Sequence, residues 1–168
     1  MNIPAYLEIL NLLILEKILN KTVDDASMHH LLKQLNYEVE RLLENCEIAQ
    51  GLDVLREKTK DSNWMIVSGG DQEEIIRLFT RKNLLKYFDV GIFGSPDSKE
   101  DIVSRELKKR TGQRPALFIG DSKYDFQVAK KNNLDFIFLS DWTNFSEWKS
   151  FCAENKIEIY RKLDDLNH

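Results

Sequence analysis

The sequence has 168 residues, of which 42% are hydrophobic and 31% are charged, and its formal net charge is −4. A chain of this length buries about two-thirds of its unfolded surface, which is enough for one domain and a small appendage. The balance is slightly acidic and no block of basic residues occurs, so nothing points to nucleic acid or an anionic membrane as a partner.

The cysteines and the apolar N-terminal residues bear on cellular location. Cys46 and Cys152 match no metal-binding spacing and are too few for a disulfide framework, so we expect reduced thiols in the cytoplasm. Residues 1–19 lack the basic start and the small-residue cleavage site of a signal peptide. Glu8 and Glu16 interrupt the apolar run before it reaches the ~18 residues that a membrane span needs. We expect neither a leader nor a membrane anchor.

Two helices are predicted in the first part of the chain. Residues 4–19 are apolar nearly all round, which favours a covered helix, although a strand over Leu10–Leu15 is the alternative. A long helix follows from about residue 23 to 46 and has one apolar stripe. His29 and His30 are adjacent in it, and adjacent helical residues do not face each other, so surface positions are favoured over a ligand role.

Strands alternate with helices from residue 51 onward. The predicted strands are 64–67, 90–93, 116–119, 136–139 and 157–159, and the predicted helices are 52–60, 71–82, 99–110 and a segment that ends near 132. Such alternation predicts a three-layer α/β domain with a parallel sheet.

The tail of the sequence carries an aromatic pattern. Trp142, Phe145, Trp148 and Phe151 are spaced by three, so they would share one side of a helix. We expect this side to cover the core rather than to bind a partner.

Two acids follow the predicted strand at 116–119. Gly120 lets the chain turn sharply, and Asp121 and Asp125 are four apart, so both carboxylates can face one point. Ligands of open α/β sheets bind at the carboxyl ends of strands, and paired acids there suit Mg2+, which prefers oxygen ligands. The simpler alternative is a turn in which Asp121 caps the helix and Asp125 is solvated.

Other polar residues follow the other predicted strands. Ser68 follows the strand at 64–67, and Gly69 and Gly70 leave bare N–H groups that suit an anion. Lys99 lies where its helix begins, and from there it would neutralise a phosphate and a carboxylate together. Each feature taken alone has a simple structural explanation. Together, a hydroxyl, an ammonium and paired acids at separate strand ends predict one site for a phosphoryl group and a metal.

These segments resemble the motifs of the haloacid dehalogenase (HAD) superfamily of phosphohydrolases, particularly its phosphoglycolate-phosphatase-like branch with a helical cap. Met65–Gly70 looks like the second motif, in which a strand ends in Ser or Thr. Lys99 matches the lysine of the third motif, and Phe118–Asp125 matches the fourth motif with its acids. The resemblance covers about residues 23–166.

The resemblance implies a Rossmann-like parallel core at residues 51–168 and a partial helical cap at 1–50. It also implies hydrolysis of a small phosphorylated metabolite with Mg2+ as the cofactor. The residues that it assigns to phosphate are Ser68, Gly69, Gly70 and Lys99, and those that it assigns to Mg2+ are Asp121 and Asp125.

One part of the family's site is missing from the sequence. Members attack phosphorus with the first aspartate of an Asp-x-Asp-x-Thr/Val motif, and no two aspartates of this sequence are two positions apart. We therefore expect an N-terminally truncated enzyme that is inactive as it stands. The alternatives are a non-catalytic module that binds phosphate ligands and a plain α/β interaction domain that uses the aromatic tail.

The resemblance also implies that a strand is missing from the middle of the sheet, between the strands at 64–67 and 116–119. Four arrangements would follow from this gap. The sheet closes up, Leu10–Leu15 fills the position, another chain fills it and forms an oligomer, or the domain is only marginally stable.

Overall fold

Strands and helices alternate through residues 45–110 and 115–168, which are the residues that the computed structural model describes. The helices are α1 (Leu52–Lys58), α2 (Gln72–Arg81), α3 (Lys99–Lys109), α4 (Lys123–Lys131) and α5 (Trp148–Asn155). The strands are β1 (Met65–Asp71), β2 (Gly91–Ser95), β3 (Leu117–Gly120), β4 (Asp135–Leu139) and β5 (Glu158–Tyr160). Short 3-10 helices occupy Leu85–Tyr87 and Leu163–Asn167.

Several predictions concern residues 1–44, which lie outside the described part. They are the helices over 4–19 and 23–46, the strand alternative at Leu10–Leu15, and the positions of His29 and His30. The division into a cap at 1–50 and a core at 51–168 therefore stays a prediction.

Side-chain caps fix where the helices that follow β1 and β2 begin. The Asp71 carboxylate accepts a hydrogen bond from the backbone N–H of Glu74 at 3.0 Å and starts α2. The Ser98 hydroxyl accepts from the backbone N–H of Asp101 at 3.1 Å and starts α3. Both caps satisfy N–H groups that have no partner inside the helix. The turn between strand and helix is therefore set by local sequence.

The five described strands form two parallel sheets rather than one. Strand β1 pairs with β2, whereas β3 pairs with β4 and β4 with β5, all in parallel. The parallel α/β class predicted from the sequence is confirmed. Within the described residues no ladder joins β1 to β3, so the arrangement in which the sheet closes up is wrong. Among the described residues, neither strand has a partner on the side where the missing middle strand was expected.

The strands beside this gap, β1 and β3, are less buried than their neighbours β2 and β4. No residue of β1 or β3 is buried, and Leu117 in β3 is 52% exposed. By contrast, Ile92 in β2 is buried, as are Ile137, Phe138 and Leu139 in β4. Central strands of a complete parallel sheet are covered on both faces and are normally the most buried. This reversed order of burial is what an incomplete sheet would show.

Helices α3 and α4 supply the best-buried apolar residues beside the strands. Ile102 and Val103 of α3 and Val128 and Ala129 of α4 are at most 1% exposed. A second cluster of buried residues joins α1, β4 and the last 3-10 helix through Leu55, Ile137, Leu139 and Leu163. None of the helices in the described part is both long and apolar enough to cross a bilayer.

The prediction for the aromatic tail is wrong in its helix and partly right in its role. Helix α5 begins only at Trp148, because the Thr143 hydroxyl accepts from the backbone N–H of Phe145 at 3.1 Å and holds a local turn instead. The Trp148 ring stacks on Phe138 at 6.0 Å, and Phe145 packs on Phe151 at 5.7 Å. These three tail residues cover the core as expected, whereas Trp142 is 42% exposed.

Candidate active site

A lysine and a carboxylate from different helices meet at the carboxyl edge of β3. The Lys99 Nζ donates to Asp125 Oδ1 at 2.6 Å. Asp125 is 2% exposed, and the Lys99 side chain is 19% exposed. Lys99 begins the helix after β2, and Asp125 lies in the helix after β3. This ion pair therefore links the two sheets across the gap between β1 and β3.

The Asp125 carboxylate has partners on both of its oxygens. Besides the Lys99 ammonium on Oδ1, the Ser122 hydroxyl donates to Oδ2 at 2.8 Å and the backbone N–H of Asp121 lies 3.4 Å from it. A buried ionised carboxylate requires such compensation. The alternative in which Asp125 is solvated is wrong, because this side chain is buried and ion-paired.

Gly120 makes this close packing sterically allowed. A Cβ atom at position 120 would lie 2.6 Å from the Cβ and 2.9 Å from Oδ2 of Asp125. Such distances are far inside van der Waals contact, so any side chain here would push Asp125 away from Lys99. Glycine at the end of β3 is therefore a requirement of the ion pair as well as of the turn.

The cap of α4 is Ser122 and not Asp121. The backbone N–H of Asp125 donates to the Ser122 hydroxyl at 3.1 Å, so this hydroxyl both caps the helix and holds the carboxylate. The alternative in which Asp121 caps the helix is wrong. Our sequence reasoning missed Ser122 as a site residue, although a serine followed three positions later by an acid is a recognised capping pattern.

Asp121 is left as the less compensated of the two acids. Its pKa is raised above the ordinary value of 3.8, first because it is partly buried and then because the charge of Asp125 is close, while Lys99 acts in the opposite direction. Its ionised form would be favoured by an added cation. The environment of Asp121 therefore fits a metal ligand.

The donor set limits what kind of metal would bind here. Among the described residues no group of three or more His, Cys, Asp or Glu side chains could hold a metal ion. Asp125 is already bonded to Lys99, so Asp121 is the main protein ligand on offer. Mg2+ commonly keeps several waters and takes one or two carboxylates together with phosphate oxygens. These residues fit such a loosely held Mg2+.

The Ser68-Gly69-Gly70 segment interrupts the pairing of β1 with β2. The register shifts between Val67 and Asp71, so these three residues leave the regular ladder. The Ser68 hydroxyl accepts from the backbone N–H of Gly70 at 3.1 Å, so one of the two N–H groups expected to be bare already has a partner. Gly69 and Gly70 are exposed, and a Cβ at Gly69 would meet nothing within 4 Å.

The structure thus brings together only some of the predicted site residues. Lys99, Asp121 and Asp125 lie within one contact network. Within the described part, Ser68 makes no hydrogen bond to any of these three residues. Ser68 belongs to the β1–β2 sheet and Asp121 follows β3, so they lie on opposite sides of the gap. The roles assigned to the six residues stay predictions.

A second buried carboxylate lies in α3 but has its charge balanced by local partners. Glu106 is 2% exposed and accepts from Lys109 at 2.8 Å, from Arg110 at 2.9 Å and from Arg105 at 3.2 Å. Burial alone would raise its pKa, but these hydrogen bonds outweigh burial and lower the pKa from 4.5 to about 2. Glu106 is therefore the centre of a structural ion cluster and is not a part of the candidate site.

A family model for haloacid dehalogenase-like hydrolases matches residues 5–139. No curated protein sequence matches the chain.

Solved structures show a similar fold. One is a HAD-superfamily hydrolase from Ehrlichia chaffeensis, 24% identical with a TM-score of 0.57, for which the match covers 95% of this chain and 84% of that one. A second, from Clostridium difficile, is described as a phosphatase; it is 15% identical with a TM-score of 0.67 and coverage of 86% and 71%. A third, a HAD-type hydrolase from Bacillus subtilis described as bound to magnesium, is 18% identical with a TM-score of 0.59 and coverage of 99% and 81%.

Proposed function

Because the family model matches it over residues 5–139, this chain belongs to the haloacid dehalogenase-like hydrolases, and we propose that its site binds small phosphomonoesters together with Mg2+. The observation that carries the proposal is the contact of Lys99 with Asp125 at 2.6 Å, beside Asp121 and across the gap between the sheets. This contact places an ammonium and two carboxylates at one sheet edge, where a phosphoryl group and a cation balance each other's charge.

Each residue of the site has a distinct part in the proposal. Lys99 and the Ser68 hydroxyl would bind phosphoryl oxygens from the two sides of the gap, with the exposed Gly69 backbone beside them. Asp121 would ligate Mg2+, and Asp125 would hold Lys99 in place. When bound, Mg2+ would neutralise charge on the phosphoryl oxygens. The phosphoryl group would bridge the gap between Ser68 on one side and Lys99 and Asp121 on the other.

Hydrolysis needs one more group. The attacking carboxylate of a HAD phosphatase is the first acid of an Asp-x-Asp pair, and the 168 residues contain no such pair. Loss of a nucleophile commonly lowers turnover by several orders of magnitude. We therefore propose that these residues bind phosphomonoesters and do not hydrolyse them. This description fits a phosphatase that lacks its nucleophile, and it equally fits a non-catalytic protein that binds phosphate.

Calorimetry on the full 168-residue chain tests the proposal. Inorganic phosphate and p-nitrophenyl phosphate are titrated with and without MgCl2, and p-nitrophenol release is followed in parallel. We expect binding that is tighter with Mg2+, and no p-nitrophenol. Binding that is absent in both conditions would refute the proposed function, and steady p-nitrophenol release would refute binding without turnover.

Three variants identify the residues involved. Asp121→Asn should remove the effect of Mg2+ on phosphate binding, and Lys99→Met should weaken phosphate binding at least about tenfold through loss of a charge-assisted contact. The matched control is Lys108→Met, since this lysine lies on the same helix and is exposed. A loss in Lys108→Met equal to that in Lys99→Met would show a general charge effect instead of a site.

A further inference from the structure

Two large aromatic side chains stay exposed next to the candidate site. Tyr124 is 45% exposed and Trp142 is 42% exposed. Single exposed apolar residues are common on protein surfaces, but these two follow neighbouring parallel strands. Tyr124 comes after β3 and Trp142 after β4, and the end of β3 pairs with β4 in register. Both residues therefore lie at the sheet edge that carries Asp121.

The two segments that carry these rings are in contact. The Lys123 Nζ lies 5.3 Å from the ring centre of Phe145 and 5.4 Å from that of Phe151. Lys123 immediately precedes Tyr124, and Phe145 is three residues after Trp142. The lysine is thus held against aromatic residues that follow β4, so the segment that carries Tyr124 and the segment that carries Trp142 are in contact.

Both rings are carried by well-anchored backbone. Tyr124 lies in the first turn of α4, which Ser122 caps. Next to Trp142, the backbone N–H of Asp141 donates to the carbonyl of Arg161 at 2.9 Å, and the Arg161 guanidinium donates to the Asp141 carboxylate at 3.3 Å. In the part of the chain that the structure describes, neither Tyr124 nor Trp142 contacts another aromatic ring. More than two-fifths of the surface of each residue is exposed, so part of each ring is open to a ligand.

We propose that Tyr124 and Trp142 bind the flat organic group of the phosphomonoester, and that the ligands of this site are nucleoside 5′-monophosphates rather than sugar phosphates. The inference rests on the proposed function, since the phosphate would bind at Lys99. Every nucleobase has a planar face that stacks on aromatic side chains, whichever hydrogen-bonding groups lie on its edge.

The two exposed rings favour stacking over recognition of sugar hydroxyls. Beside Trp142, Asp141 is paired with Arg161, and the Thr143 hydroxyl accepts from the backbone N–H of Phe145. These polar groups keep capacity for a further hydrogen bond, so they do not by themselves reject a sugar. The preference for a base rests on the aromatic faces, because a planar base gains more stacking energy there than a sugar does.

The experiment compares ligands that share a phosphate and differ in the base. Adenosine 5′-monophosphate, ribose 5-phosphate and inorganic phosphate are titrated into the full chain with MgCl2, by calorimetry and tryptophan fluorescence. We expect the nucleotide to bind at least about tenfold more tightly than ribose 5-phosphate and to change the fluorescence. Trp142→Ala should lose most of this preference while its affinity for ribose 5-phosphate is kept, and Tyr124→Ala should change affinity in the same direction.

Controls separate stacking from a loss of fold. Trp142→Phe keeps a ring, so it should keep the nucleotide preference and lose the fluorescence change. Leu85→Ala alters a residue that is 41% exposed and precedes β2 at the opposite sheet edge, so it should change neither. Equal affinities for nucleotide and ribose 5-phosphate, with phosphate binding intact, would overturn this inference and leave the proposed function standing. Failure of inorganic phosphate and ribose 5-phosphate to bind, with a fluorescence response to adenosine 5′-monophosphate that Trp142→Ala removes, would refute the phosphate site of the proposed function and leave only the contact of the base with the rings.

Discussion

Asp121 and Asp125 are both aspartates and lie four residues apart, but their surroundings have opposite effects on stability. Asp125 is compensated by an ammonium and a hydroxyl, whereas Asp121 carries a raised pKa through burial and the charge of its neighbour. A raised pKa in the folded state means that ionisation of Asp121 opposes folding. Stability is then lost as the pH rises above the ordinary value of 3.8. Asp125 therefore stabilises the fold through its ion pair with Lys99, whereas a bound cation would stabilise the ionised form of Asp121.

Substitution of the two acids should therefore change stability in opposite ways. Asp125→Asn leaves the largely buried Lys99 ammonium without its counter-charge, and we expect the free energy of unfolding to fall by about 3–5 kcal/mol. Asp121→Asn removes a repulsion, so at pH 7 without Mg2+ the variant should be at least as stable as the parent. Urea unfolding curves measure both values. A similar loss in the two variants would contradict the distinction between them.

Glu106 sets a different pH dependence. Its pKa is lowered to about 2, so its ionised form stabilises the folded state above the ordinary value of 4.5, and this stability is lost as the pH falls from about 4.5 to about 2. Glu106→Gln should cost about 1–3 kcal/mol at pH 7 and should flatten the acid limb of a plot of Tm against pH. Glu57→Gln, at an exposed position in α1, is the control and should leave that limb unchanged. An unaltered acid limb in Glu106→Gln would contradict the assignment.

At the scale of the elements, the turn from β3 to α4 depends on the absence of a single atom. A Cβ at Gly120 would lie 2.6 Å from Asp125, but a Cβ at Gly69 would meet nothing within 4 Å. Gly120→Ala should displace Asp125 and break its contact with Lys99. We expect this change to lower the free energy of unfolding by about 3 kcal/mol. Gly69→Ala is the matched control and should change it by less than about 0.5 kcal/mol. Denaturant unfolding of both variants tests this, and equal stability would refute the steric argument.

The elements that could be predicted from the sequence are those whose limits are local. The helix predicted at 99–110 is found at Lys99–Lys109, because an apolar period and the Ser98 cap both belong to that segment. The helix predicted for the aromatic tail was wrong, because spacing by three does not reveal that Thr143 holds a competing turn. The spacing of Asp121 and Asp125 indicated a paired site, but which acid takes Lys99 depends on how two helices approach each other. That approach is not written in either segment.

At the scale of the whole molecule, the gap between β1 and β3 is the dominant feature of the described part. Strand pairing depends on contacts far apart in sequence, so the patterns of the single strands identified β1 and β3 without showing their partners. Strand β1 pairs with β2 and β3 with β4, whereas no ladder of the described part joins β1 to β3. Within the described residues each has one edge without a strand partner, and the backbone groups of such an edge normally require cover or pairing. Strand β4 is the reverse case, since it is hydrogen-bonded on both sides and Phe138 and Leu139 are fully buried.

Hydrogen exchange distinguishes an open gap from a filled one. Backbone amides on the free edges of β1 and β3 should exchange at least about tenfold faster than those of β4, because small local openings expose them. The outer edge of β2 provides an internal control, since it has no neighbouring strand in the described residues. If another chain supplies the missing strand, protection of β1 and β3 should rise with protein concentration, together with the mass in sedimentation. Protection equal to that of β4 at every concentration would contradict an open gap and would show that the chain itself fills it.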